Sequence, residues 1–113
     1  MIYMKGVALN IDKIRKRFIP MSETMFYILL SLREERHGYG IMQHVKELTK
    51  NRINLGAGTI YQSLSKLEGD GLIVSTREID RKKLYIITEV GKLILKEEAV
   101  RIKEIYQNLA GYL

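Results

Sequence analysis

The hydrophobic period of this chain changes twice, and those changes limit the folds open to it. From Ile11 to Leu67 the apolar residues recur at helical spacing. Between Leu72 and Thr88 they cluster in short runs rich in Ile, Val, Thr and Tyr, and after Thr88 the helical spacing returns. A run of helices, a strand pair and a closing helix are therefore expected, in that order.

Each segment has its own signals. Ile11, Ile14 and Phe18 form one stripe on a short helix, and Pro20, the single proline, bars that helix from continuing. Ser22 is placed to cap a second helix, whose apolar face is Met25, Ile28, Leu29 and Leu32. The charged run Arg33–Arg36 and Gly38 end it. The next helix runs from about Tyr39 to Thr49 with Ile41, Val45 and Leu48 inward. Asn51 to Gly58 reads as a turn, and another helix carries Ile60, Leu64 and Leu67, with Gly71 just past its end. Leu72–Arg77 and Leu84–Thr88, joined by the charged stretch Glu78–Lys83, predict a two-stranded hairpin. Thr88 can cap the last helix, with Glu89 in its first turn.

That last helix holds a heptad seam: Leu95, Ala99, Ile102, Tyr106, Leu109 and Leu113 alternate steps of four and three. A seam on a terminal helix needs a partner, and a second copy of the chain is the simplest one. The expected architecture is mainly α with a small β-hairpin: a winged helix-turn-helix plus a C-terminal dimerisation helix. It divides into a basic arm (1–20), the winged domain (21–88) and the dimerisation helix (89–113).

Composition excludes several functions. The 113 residues contain no cysteine and two histidines, so thiolate metal sites and thiol nucleophiles are ruled out. His37 and His44 are too few for a zinc cluster; His37 is expected to cap or pack at the start of its helix. Adjacent Glu34 and Glu35, like Glu97 and Glu98, point to different helix faces and do not form a paired-carboxylate site. No nucleophile, base and orienting acid recur together, so no enzyme and no cofactor is expected. No stretch approaches the ~18 apolar residues of a spanning helix, and a cytoplasmic protein with no membrane partner is the expectation.

The charge is +6, and its distribution is more informative than its total. Residues 1–20 hold +4, residues 54–71 hold −1, residues 72–88 hold +2, and residues 89–113 are neutral. In a winged helix-turn-helix, the helix after the turn enters the DNA major groove and the hairpin reaches neighbouring phosphates or the minor groove. The surface of that helix offers Thr59, Tyr61, Gln62, Ser63, Ser65 and Lys66 for phosphates and base edges. Tyr61 is equally suited to the core. The wing offers Arg81, Lys82 and Lys83 to phosphate. The arm is expected to pack through Ile11, Ile14 and Phe18, leaving Lys13, Arg15, Lys16 and Arg17 toward solvent or DNA.

Four motifs in order resemble PadR-type transcriptional regulators. His37-Gly38-Tyr39-Gly40-Ile41 resembles that family's HGYxI segment, and Gly58-Thr59-Ile60-Tyr61 through Leu67-Glu68 its GTLYxxLxxLE recognition helix. Asp70-Gly71-Leu72-Ile73 resembles DGLI at the wing entry. Arg81–Tyr85 with Ile87–Gly91 resembles RRKYYxLTxxG. The similarity runs from Met21 to about Gly91, and the short C-terminal region resembles the smaller subgroup with one terminal helix. The wing turn Ile79-Asp80 departs from the glycine-rich insertion of many members, and the chain has no Trp where some small members sandwich flat drugs. The resemblance implies a homodimeric repressor on a pseudo-palindromic double-stranded DNA operator, often released by a small-molecule effector. The competing expectation is a winged-helix protein-interaction module without sequence-specific DNA binding.

Overall fold

The computed structural model describes residues 2–4 and 7–113. Two short strands, β1 (Ile2–Met4) and β2 (Val7–Leu9), pair antiparallel at the start. Nothing in the spacing of the arm pointed to them. Helix α1 (Ile11–Phe18) follows, with the Asn10 side chain accepting a hydrogen bond from the Lys13 N–H at 3.2 Å. It stops where expected, because Ile19 ahead of Pro20 is extended (φ −113°).

Helix α2 (Glu23–Ser31) is capped by Ser22, whose Oγ accepts from the Met25 N–H at 3.1 Å. A two-residue strand, β3 (Arg36–His37), leads into α3 (Gly38–Leu48), and α4 (Ala57–Gly69) completes the helix-turn-helix. The strands β4 (Ile73–Ile79) and β5 (Lys82–Ile87) form the wing, and α5 (Glu89–Leu109) closes the chain with a 3-10 turn at Ala110–Tyr112.

The sheet corrects one expectation. It has three strands in the order β3-β5-β4, all antiparallel, because Arg36 and His37 pair with Tyr85 and Leu84. A polar two-residue segment carries no alternating pattern, so its pairing became visible only in three dimensions.

One core serves the whole body. Ile28, Leu29, Leu32, Ile41, Val45, Ile60, Leu67, Leu72 and Ile94 are fully buried. Ile14 and Phe18 of α1 join the same cluster, at about 1.5–3 kcal/mol for each such side chain.

Two joints fix the wing and α5 to this core. At the end of α4 the Leu72 N–H donates to the Leu67 carbonyl (2.9 Å) and the Gly71 N–H to the Glu68 carbonyl (3.0 Å). Gly71 takes φ 80°, the left-handed cap that this bonding requires. At the start of α5, Thr88 Oγ1 donates to the Gly71 carbonyl (2.6 Å) and accepts from the Gly91 N–H (3.1 Å). A Cβ at Gly91 would lie 2.1 Å from the Leu72 carbonyl oxygen, so the first turn of α5 can meet the wing base only without a side chain there.

Candidate nucleic-acid interface

Helix α4 turns Ile60, Leu64 and Leu67 inward and leaves Thr59, Tyr61, Gln62, Ser65 and Lys66 outside. Ser63 is on the inward side, about 9% exposed, and is therefore withdrawn from the DNA-facing set. It follows Ile60 by three residues, the spacing that returns to the same helix face. Tyr61 takes the outward alternative at 61% exposure, with its hydroxyl oxygen 3.5 Å from where a Cβ on Gly38 would lie. The Lys66 ammonium rests 5.3 Å from the centre of the Phe18 ring, on the α1 side of the helix.

The wing is tighter than a six-residue charged loop. Ile79 pairs with Lys82, so only Asp80 and Arg81 lie outside the ladder. Both have positive φ, 50° and 66°, the signature of a type I′ turn whose twist matches the strands. Arg81 therefore occupies the tip, while Lys82 and Lys83 belong to β5; all three are exposed.

Helix, wing and the start of α3 enclose an open cleft of about 330 Å³. Its walls include His37, Tyr39, Tyr61, Arg81, Lys82 and Lys83, and among the described residues Glu78 is the one acid that lines it. Lys82 Nζ lies 6.0 Å from the centre of the Tyr39 ring. The buried Tyr85 phenol lines the same cleft; burial pushes its pKa up, with Glu68 and Tyr61 acting in the same direction. Three cations beside aromatic and hydroxyl groups suit a sugar-phosphate strand.

Tyr39 was missed as a candidate because a half-polar aromatic in a glycine pair looks like a packing residue. Its 58% exposure beside the wing could not be read from helical spacing. His37 caps α3 by accepting from the Gly40 N–H at 3.0 Å. His44 sits elsewhere, 2.8 Å from Ser31 Oγ, and the Ser31 hydroxyl donates to the Tyr27 carbonyl.

The arm contributes less free charge than its count suggests. Arg15 donates to Glu97 through Nε (2.9 Å) and Nη2 (3.0 Å), and Arg17 pairs with Asp70. Lys13 and Lys16 remain exposed. Beside Glu97, the fully buried Glu98 accepts from the Met21 N–H and from Arg101 Nε at 2.6 Å. These adjacent carboxylates anchor α5 to the arm and to the start of α2.

Past Arg101 the helix leaves the body. Ile102, Ile105, Tyr106, Leu109, Tyr112 and Leu113 are all exposed, a stripe broader than the seam alone. Leu95 differs from the other seam residues: at 8% exposure it is already buried in its own core. Next to it, Phe26, Leu30, Leu95 and Ala99 line an apolar groove of about 430 Å³ between α2 and α5.

The profile of the "Transcriptional regulator PadR-like family" matches residues 25–97, from α2 through the wing into α5. The chain belongs to this family. It is 30% identical over 96 residues to the transcriptional regulator YqjI of Escherichia coli K12, which covers 84% of this chain but 46% of YqjI. The chain thus spans about half the length of that relative. Among solved structures, the PadR family transcription regulator from Clostridium difficile R20291 superposes with TM-score 0.70 at 24% identity, over 80% of this chain and 98% of that one. Bacillus subtilis PadR in complex with operator DNA superposes with TM-score 0.58 at 32% identity, over 65% of this chain and 44% of that one. The PadR-like family is one of transcriptional regulators rather than an enzyme class. No described helix is long and apolar enough to cross a membrane.

Proposed function

We propose that this PadR-family chain is a homodimeric, sequence-specific DNA-binding repressor that acts in the cytoplasm and is released by a small-molecule effector. The observation that carries the reading is the cleft between α4 and the wing, where Arg81, Lys82 and Lys83 face the same space as Tyr39 and Tyr61. In this reading Thr59, Gln62, Ser65 and Lys66 meet base edges and phosphates from α4. Arg81, Lys82 and Lys83 hold the adjacent backbone, with Tyr39 and Tyr61 offering hydroxyls.

Dimerisation follows from the exposed stripe on α5 and the apolar groove beside it. A second copy supplies a stripe for each groove and a groove for each stripe, which is the self-complementarity a two-fold dimer needs. Two α4 helices would then address half-sites about 34–36 Å apart on one face of the duplex.

The test is competition between a selected duplex and random DNA in a gel shift, repeated over a salt series. Lys82→Ala should weaken binding to every sequence and reduce the magnitude of the log–log salt slope by about 0.9. Binding that is weak and indifferent to sequence would leave the protein-interaction reading in its place.

A further inference from the structure

Glu35 lies outside the DNA-facing groups, in the loop between α2 and β3. Its carboxylate accepts from Arg77 Nε at 2.9 Å and lies 2.7 Å from Arg77 Nη2. Arg77 stands at the irregular point of the β4–β5 ladder. Ser75 pairs with Tyr85 and Arg77 with Leu84, so Thr76 has no opposite residue. In a regular strand, consecutive side chains point to opposite faces. A bulge bends the strand and re-aims its side chains. Here the Thr76 hydroxyl donates to the Leu84 carbonyl at 3.4 Å, which ties the bulged residue back to β5. The nearby Thr76 hydroxyl first, and then the Arg77 guanidinium, hold the Glu35 carboxyl below its usual range.

The position of this clamp matters. Glu35 precedes Arg36 and His37, which pair with β5 and cap α3. One short loop thereby holds both the start of α3 and the bend of the wing. Arg77 is 62% exposed, so the pair adds little to global stability.

We propose that Glu35 is a positioning residue: by holding the Thr76–Arg77 bulge it sets the lean of the wing, so that Arg81, Lys82 and Lys83 meet the phosphate backbone beside α4. The proposal rests on the DNA-binding reading above. It also opposes what charge alone predicts. Glu35→Gln removes a negative charge, so pure electrostatics requires tighter DNA binding and a steeper salt slope. A broken clamp requires the opposite.

The experiment measures affinity for the tightest duplex recovered from a random pool, across a salt series, for wild type, Glu35→Gln, Thr76→Val and the exchange Glu35→Arg/Arg77→Glu. Glu35→Gln should bind about tenfold more weakly, with the slope reduced by about 0.9 for each phosphate the wing no longer reaches. Thr76→Val, which changes no charge, should shift both quantities the same way by less. The exchange should recover most of the affinity. Thermal melts of all four separate a wing effect from a folding defect; if Glu35→Gln melts early, Thr76→Val carries the test. Equal or tighter binding by Glu35→Gln with an equal or steeper slope overturns the clamp while leaving the DNA-binding reading intact. Wild-type protein that binds no duplex with sequence preference overturns both.

Discussion

Arg81 sits at the wing tip against its own backbone preference, and replacing it with glycine tests turn and function at once. Its φ of 66° lies in the left-handed region, at the second central position of the type I′ turn. A side chain there costs about 1–2 kcal/mol relative to the right-handed region. Glycine removes that cost but loses about 0.5–1 kcal/mol through its freer unfolded chain. Arg81→Gly should therefore stabilise the protein by about 0.5–1 kcal/mol and leave the Asp-Gly pair favoured in such turns. At roughly 4 °C per kcal/mol for a domain of this size, the melting temperature should rise by about 2–4 °C. The same substitution removes one of three wing cations, so DNA affinity should fall and the salt slope should drop by about 0.9. Urea melts and salt-dependent gel shifts on one preparation read both changes. A destabilised variant would refute the turn geometry, and an unchanged salt slope would refute phosphate binding by Arg81.

Glycine substitutions at two helical sites should differ in sign: Gly91→Ala drives a Cβ against the Leu72 carbonyl and should cost about 2 kcal/mol after the ~1 kcal/mol gain in helix propensity. Gly58→Ala, with open space around it, should stabilise by about 0.5–1 kcal/mol in the same urea series. Ile102→Glu puts a charge in the middle of the α5 stripe and should give monomers in sedimentation; a variant that stays dimeric would refute the stripe as the interface. Burial first, and then Arg36, lowers the His44 pKa. The unfolded chain therefore takes up its proton near pH 6.5, before the folded one does, and stability should fall as pH drops through that value toward the lowered folded one. His44→Gln should flatten the urea midpoint over that window, and equal pH slopes in both proteins would count against the assignment.

The outward groups of the interface were partly legible in advance. Thr59, Gln62 and Lys66 follow from the helical phase that Ile60, Leu64 and Leu67 set. Ser63 misled because a serine is compatible with either side, and only the packing of α4 on the core placed it inward. The basic triplet was visible, but its division into one tip residue and two strand residues was not. That division depends on Ile79 pairing with Lys82. Tyr39 and Glu35 escaped notice because their roles lie in what they meet across the fold.

The sequence alone determined the order of the five helices and the wing hairpin, the helix stops at Pro20 and Gly71, and the caps at Ser22 and Thr88. These are set by hydrogen bonds and steric limits reaching only three or four residues along the chain. Tertiary structure decided where the charge acts. Arg15 and Glu97 are 82 positions apart, and Arg17 and Asp70 are 53 apart, yet each pair meets and withdraws an arm cation from the free positive charge. The third strand, the burial of Ser63 and Leu95, and the Glu35 clamp have the same origin. Each depends on which distant segment the hydrophobic core brings alongside, and local pattern does not encode that choice.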